Sequence, residues 1–162
     1  MSSPKTASRH RSRQLAFQVL YGLSFSPAHD LDELKGIFCS SPGQAELHED
    51  AAPVVPSGFA WELVEGVWKS SALLDEIIER FSRNWRISRM GRVELTLLRL
   101  AAFEMLFRTD IPSKATINEA LELSRQFGEH KAGIFVNGIL DAVAKALEKG
   151  DLMRPVFSST SK

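Results

Sequence analysis

In the stretch RHRSRQLAFQVLYGL, Arg9 to Leu23, a basic run continues directly into an apolar pattern typical of a helix. Its apolar residues recur at the spacing of one helix face: Ala16, Val19, Leu20 and Leu23. This periodicity predicts a helix from about Ser8 to Leu23. The pattern of the remaining chain is also helical, so this segment is the first of several packed helices.

The basic residues of this stretch stand at the predicted start of the helix. A helix N-terminus carries about half a positive charge, so cations there are unfavourable. Arg9, Arg11 and Arg13, with His10 among them, have no acidic neighbour in sequence. Guanidinium groups bind phosphate in a bidentate way and stack on unpaired bases. The run therefore predicts a polyanion-binding helix end, in preference to a solvated surface.

Composition bounds the class of protein. The 162 residues are 44% hydrophobic and 25% charged, as in an ordinary globular domain. No apolar run approaches the roughly 18 residues that would span a bilayer. A single cysteine, Cys39, excludes an intramolecular disulfide and fits a reducing compartment. We expect a cytoplasmic protein; an organelle transit peptide is the less favoured interpretation of the basic, acid-poor N-terminus.

Charge is segregated although the formal net charge is zero. Between Arg80 and Arg99 there are six arginines and one acid, Glu94. Five of these arginines follow one another at three-residue steps: Arg80, Arg83, Arg86, Arg89 and Arg92. Binding of RNA and structural ion pairs with the acidic segment after Asp30 explain this ladder equally well.

The periodicity predicts an all-α protein of six or seven helices. We expect a flexible tail over residues 1–8, one domain over 9–149, and a frayed tail over 150–162. Prolines and glycines predict a long loop over 39–57. Ser88 is the expected start of the helix that carries Leu97 and Met105.

Catalytic constellations are missing from the sequence, so we predict a protein that is not an enzyme. We expect no cofactor and no metal site, because His48, Glu49 and Asp50 fit a solvated acidic loop better than a metal site. Polar residues within the last two helices are expected to be buried and to fix helix packing: Asn118, Asn137 and Asp141. Gly138 predicts a close helix crossing.

Four phrases carry a family resemblance: RSRQLAFQVLY, LLRLAAFEML, TINEALELSRQFG and FVNGILD. In order and spacing they resemble the transcription antitermination factor NusB family, from about Arg9 to Leu147. The resemblance implies two packed helical bundles. It also implies binding to box A of ribosomal RNA leader transcripts together with ribosomal protein NusE. Other Nus factors and RNA polymerase would be indirect partners.

The resemblance also assigns residues. The arginine-rich motif of the family falls on Arg9, Arg11 and Arg13, with His10 at a position that is often basic. The RNA-contacting phenylalanine of FVNG matches Phe135, and Lys131 places a charge one turn earlier. The NusE-contacting residues match Tyr21 and Glu94.

The function implied is RNA binding in support of processive rRNA transcription, with single-stranded RNA as the target. A protein-interaction or dimerisation module is the alternative from another class. The NusB-like RNA-binding part of an rRNA methyltransferase is a second alternative. The sequence leaves open whether the protein is a monomer or a homodimer.

Overall fold

The computed structural model describes residues 4–44, 56–83 and 85–155, with side chains described from Ser8 onward. Within these ranges it contains α-helices joined by turns and no β-strand, so the all-α prediction is confirmed. The helices are α1 (Pro4–Leu23), α2 (Leu31–Cys39), α3 (Gly58–Phe81), α4 (Arg92–Phe107), α5 (Ser113–Phe127) and α6 (His130–Lys149). A short 3₁₀ turn, Ile87–Arg89, precedes α4. None of the helices in the described ranges is both long and apolar enough to cross a membrane.

Helix α1 begins at Pro4, earlier than predicted. Proline suits the first turn of a helix, where its missing N–H has no partner to lose. Residues 4–8 are therefore helical, whereas the sequence places them in a tail before the helix. Arg9 lies in the second turn rather than at the helix end. The unfavourable dipole effect is confined to the first turn, so it does not act on the arginines as the sequence implied.

Helix α4 occupies the centre of the fold and packs against α1, α3, α5 and α6. The apolar side chains of α4 include some of the most deeply buried in the protein: Leu97, Leu98, Met105 and Leu106. Helix α2 joins through Phe38, whose ring lies 5.2 Å from that of Trp61 on α3. Asp30 caps α2 by accepting a hydrogen bond of 2.8 Å from the Glu33 N–H.

The close helix approach is at Gly66 rather than at Gly138. A Cβ on Gly66 would lie 2.0 Å from the ring of Phe103, so α3 and α4 approach as they do only because this residue is glycine. A Cβ on Gly138 would meet nothing within 4 Å. The predicted crossing at Gly138 is therefore wrong, and this glycine faces open space.

The polar residues of α5 and α6 also differ from expectation. Asn118, Asn137 and Asp141 are exposed and line a surface cleft between the two helices. Asp141 pairs with Lys145 one turn along the helix, at 2.9 Å. These side chains therefore do not fix the core packing.

Two boundaries differ from the predicted ones. Helix α4 begins at Arg92, and Ser88 lies in the preceding 3₁₀ turn. Within the predicted C-terminal tail, Leu152 is buried and its N–H donates to the Ala146 carbonyl at 3.1 Å. Helix α2 ends at Cys39, the first residue of the predicted loop over 39–57, and residues 45–55 of that loop, with His48, Glu49 and Asp50, lie outside the described residues.

Candidate nucleic-acid interface

Arg13 forms a buried ion pair with Glu104 of α4. Its Nε lies 3.0 Å from Oε2 and its Nη2 lies 2.5 Å from Oε1. Arg13 is 5% exposed and Glu104 is 1% exposed. The hydroxyl of Thr116 donates a further hydrogen bond of 3.1 Å to the same carboxylate. The guanidinium is committed to the interior and offers little surface to a ligand.

Two of the three basic residues that precede Arg13 in the segment, Arg9 and His10, also meet acids that are distant in sequence. Nδ1 of His10 lies 2.7 Å from Oε2 of Glu119, on α5. Nη2 of Arg9 lies 3.6 Å from Oδ2 of Asp110, in the turn between α4 and α5. The basic segment has no acidic residue near it in sequence, but the folded chain brings acids to it from α5 and from the turn before α5.

The ring of Phe59, at the start of α3, is a second anchor for this basic cluster. Guanidinium carbons of Arg108, Arg13 and Arg9 lie 5.0, 5.3 and 5.5 Å from its centroid. Cations at such distances are attracted to the face of an aromatic ring. Hydrogen bonds from Arg108, at 3.0 Å each, lower the pKa of Asp110 to about 2, and the charge of Arg9 contributes to the same shift.

Arg11 differs from its neighbours. Its side chain is exposed and makes no hydrogen bond or ion pair within the described part of the chain. It stands between residues whose positions are fixed by Asp110, Glu119 and Glu104. The helix therefore presents one open guanidinium on a rigidly anchored basic segment.

Phe135 lies on α6, partly buried against the core, with Lys131 exposed one turn earlier. Trp85, from the segment between α3 and α4, meets its ring in an edge-to-face contact with centroids 5.8 Å apart. No described contact joins these residues to the arginines of α1. The structure thus separates the predicted RNA-contacting residues into a basic segment on α1 and an aromatic surface formed by Trp85 and Phe135.

The arginine ladder has no acidic partner within the described part of the chain, which argues against the ion-pair explanation there. Arg80 donates to the Asp151 carbonyl at 3.1 Å and lies over the ring of Phe81. The side chains of Arg83, Arg86 and Arg89 are exposed and make no hydrogen bond or ion pair with described residues. Trp85 is therefore flanked in sequence by three arginines whose guanidinium groups are exposed and have no partner among the described residues.

Tyr21 and Glu94 lie at adjoining ends of α1 and α4. The ring of Tyr21 meets that of Phe25 edge to face at 5.1 Å, and the guanidinium of Arg92 lies 4.2 Å from the Phe25 ring. Glu94 lies in the first turn of α4, with its carboxylate folded against Gly91. Beside them a groove of about 540 Å³ runs between α1, α3 and α4, with Leu23, Trp68 and Met90 in its lining.

Sequence reasoning missed four residues that shape these surfaces: Phe25, Phe59, Trp85 and Glu104. The sequence does contain an indication of the role of Glu104, since it is the single acid in the apolar run LLRLAAFEML. A charge in such a run predicts a buried partner of opposite sign. No local pattern marks Phe59, because its cations come from two distant parts of the chain: Arg9 and Arg13 on α1, and Arg108 after α4.

The fold and these surfaces are those of a small, all-helical protein with an exposed arginine on a basic helix. A sequence model of the NusB family matches residues 10–145, which is most of the chain. The chain belongs to the NusB family. This membership confirms the prediction of a transcription antitermination factor that binds RNA and is not an enzyme.

The relatives agree in length and in name. Transcription antitermination protein NusB of Desulfovibrio desulfuricans is 64% identical over 155 residues, covering 95% of this chain and 94% of the relative. The protein of the same name from Oleidesulfovibrio alaskensis is 58% identical over 146 residues, covering 90% of this chain and 93% of the relative.

Solved structures agree with the fold. NusB of T. maritima superposes with a TM-score of 0.69 at 32% identity, covering 94% of this chain and all of the other. A crystal structure of antitermination factors NusB and NusE in complex with double-stranded RNA superposes with a TM-score of 0.66 at 27% identity. That comparison covers 86% of this chain and 98% of the other.

Proposed function

We propose that this protein binds box A of ribosomal RNA leader transcripts together with ribosomal protein NusE, and so supports processive rRNA transcription in the bacterial cytoplasm. The observation that carries the proposal is the basic segment of α1. Arg9, His10 and Arg13 are held by acids of the fold, and Arg11 has no such partner among the described residues. Because these neighbours hold the helix in place, the backbone that carries Arg11 loses little conformational freedom when a phosphate binds.

The roles within the segment differ in this proposal. Arg11 contacts the RNA backbone directly. Arg9 is partly exposed and adds positive charge, His10 lies against Glu119, and Arg13 positions the helix through Glu104. Phe135 offers an aromatic face to a base, and Lys131 adds a charge beside it. Sequence-specific recognition of RNA depends on unstacked bases, which favours a single-stranded target.

The partner surface in this proposal is formed by Tyr21, Glu94 and the adjoining Phe25. A tyrosine ring gives a large, rigid contact area at an interface. The related NusB whose structure includes NusE supports a protein partner for this family. Other Nus factors and RNA polymerase would meet the complex through NusE and the RNA, and a homodimer remains an alternative use of the same surface.

The test is a titration of labelled RNA with and without NusE. Three probes are used: single-stranded box A RNA, a scrambled strand of the same composition, and a duplex, because a related complex contains double-stranded RNA. We expect the box A strand to bind most tightly and NusE to strengthen that binding. Arg11→Ala should weaken binding with and without NusE, whereas Tyr21→Ala should remove only the gain from NusE.

A matched control comes from Lys145→Ala, which removes one exposed cation of an i, i+4 ion pair at the far end of α6. It should bind RNA as the unmodified protein does. Equal binding of the box A and scrambled strands would contradict the proposed specificity. A gel-filtration mass of twice the chain mass, lost in Tyr21→Ala, would favour the dimerisation alternative.

A further inference from the structure

Trp85 is a large apolar side chain that the fold leaves half in solvent. It is 52% exposed, although its ring contacts Phe135. We propose that Trp85 is a second base-stacking platform, so that two neighbouring bases of a single-stranded RNA are held by Phe135 and Trp85. This inference rests on the proposed RNA-binding function and adds a residue and a mode of contact to it.

The geometry of the two rings fits two bases rather than one. Their centroids are 5.8 Å apart and their planes are inclined by 73°. One flat base cannot lie parallel to both rings at that angle. Two bases can each stack on one ring if the strand turns between them, as unpaired bases do when a protein splays them apart.

The segment that carries Trp85 is held in place on both sides. The hydroxyl of Ser82, which is buried, donates to the Trp85 carbonyl at 2.6 Å. The Ile87 N–H donates to Oε1 of Glu79 at 3.0 Å. Arg83 takes a left-handed conformation with φ of 48°, which turns the chain at the end of α3. A ring presented from a fixed backbone loses little freedom on stacking.

Charge favours RNA over an apolar protein partner at this surface. Arg83, Arg86 and Arg89 flank Trp85 and are exposed, with no ion pair in the described part of the chain. Aromatic platforms beside open cations are the common means by which proteins bind single strands. An apolar protein contact would instead bury these guanidiniums without compensation.

The experiment measures the affinity of labelled single-stranded box A RNA for the full chain and for Trp85→Leu and Trp85→Phe. Leucine keeps apolar bulk without an aromatic face, whereas phenylalanine keeps the face. We expect Trp85→Leu to bind on the order of tenfold more weakly, and Trp85→Phe to recover most of that loss. Leu73→Ala is the control, since it truncates another exposed apolar residue, and it should bind as the unmodified protein does.

Stacking and charge are separated by a second measurement. Stacking releases no counterions, so Trp85→Leu should leave the slope of log K against log salt unchanged. Arg86→Ala should make that slope shallower by about 0.7 if Arg86 neutralises one phosphate of a single strand. Abasic substitution along the RNA should also reveal one position at which the effect of Trp85→Leu disappears.

The outcomes are distinct. If the unmodified chain binds box A RNA and folded Trp85→Leu binds it as tightly, the platform is overturned while the proposed function stands. If Trp85→Leu loses only the affinity for NusE, Trp85 is a protein contact and the inference is again overturned. If the unmodified chain binds no RNA, the proposed function fails and this inference fails with it. Far-UV circular dichroism of each variant checks folding.

Discussion

Arg13 and Glu104 form a two-point ion pair inside the protein, with Nε–Oε2 and Nη2–Oε1 distances of 3.0 and 2.5 Å. The pair joins the basic segment of α1 to the central helix α4. Removing one partner of a buried pair leaves the other charge without compensation, at a cost of about 3–5 kcal/mol. Arg13 thus belongs to the stability of the fold, although the sequence presents it as one of three equivalent arginines.

Arg13→Ala should therefore lower the free energy of unfolding by about 3–5 kcal/mol, because the buried Glu104 carboxylate keeps only the hydrogen bond from Thr116. Urea unfolding followed by circular dichroism measures this. Arg11→Ala is the control and should change the free energy by less than about 0.5 kcal/mol, as exposed substitutions do. Equal destabilisation of the two variants would contradict the assignment of Arg13 to the core.

Phe59→Leu should destabilise the fold more than Phe81→Leu. The Phe59 ring faces guanidiniums of Arg9, Arg13 and Arg108, whereas the Phe81 ring faces only Arg80 within the described residues. Each such contact contributes about 0.5–1 kcal/mol near the surface, so we expect a difference of roughly 1–2 kcal/mol in the free energy of unfolding. Chemical denaturation of both variants measures it, and indistinguishable values would exclude a role for the ring face.

Asp110 should make stability depend on pH in the acid range. Its pKa is lowered from 3.8 to about 2 by the hydrogen bonds of Arg108, so the folded state favours the ionised carboxylate. A lowered pKa stabilises the fold above pH 3.8, and this contribution is lost as the pH falls toward about 2. Asp110→Asn should be the less stable protein at pH 6.

The difference between Asp110→Asn and the unmodified chain should shrink below pH 4 and vanish only as the pH falls below about 2. Unfolding free energies measured across this range test the expectation, and an NMR titration of the Asp110 carboxyl gives the pKa itself. A constant difference between the two proteins at all pH values would show that Asp110 keeps its ordinary pKa.

Gly66→Ala and Gly138→Ala should have opposite effects. An added Cβ at Gly66 would lie 2.0 Å from the Phe103 ring, and overpacking of this kind costs about 1–3 kcal/mol. Gly138 has open space around it, so alanine there should stabilise α6 by up to about 1 kcal/mol. Thermal unfolding of both variants checks this, and Gly66→Ala combined with Phe103→Leu should recover stability if the ring is the obstacle.

The helices could be predicted from the sequence because their apolar stripes are local patterns. Ala16, Val19 and Leu20 are buried as their spacing predicts. The error at α1 came from its start. The apolar spacing predicts a start near Ser8, but Pro4 is favourable in a first turn and the helix begins there. The arginines therefore lie within the helix and not at its end.

The roles within the basic segment could not be predicted because they depend on distant residues. Asp110, Glu119 and Glu104 are about one hundred residues away in sequence and meet α1 only in the folded protein. Hydrophobic spacing says nothing about such pairs. Asn118 and Asn137 are predicted to be buried because they lie among apolar residues. Both are exposed, because they lie on the polar faces of amphipathic helices.

The binding of the RNA backbone by α1 is tested most directly by measuring RNA affinity against salt concentration. The proteins compared are the unmodified chain, Arg11→Ala and Lys145→Ala. Each phosphate neutralised on a single strand contributes about 0.7 to the slope of log K against log salt. We predict that Arg11→Ala binds more weakly and has a slope shallower by about 0.7, while Lys145→Ala keeps the slope of the unmodified chain. An Arg11→Ala protein with unchanged affinity and unchanged slope would contradict the claim that α1 holds the RNA backbone.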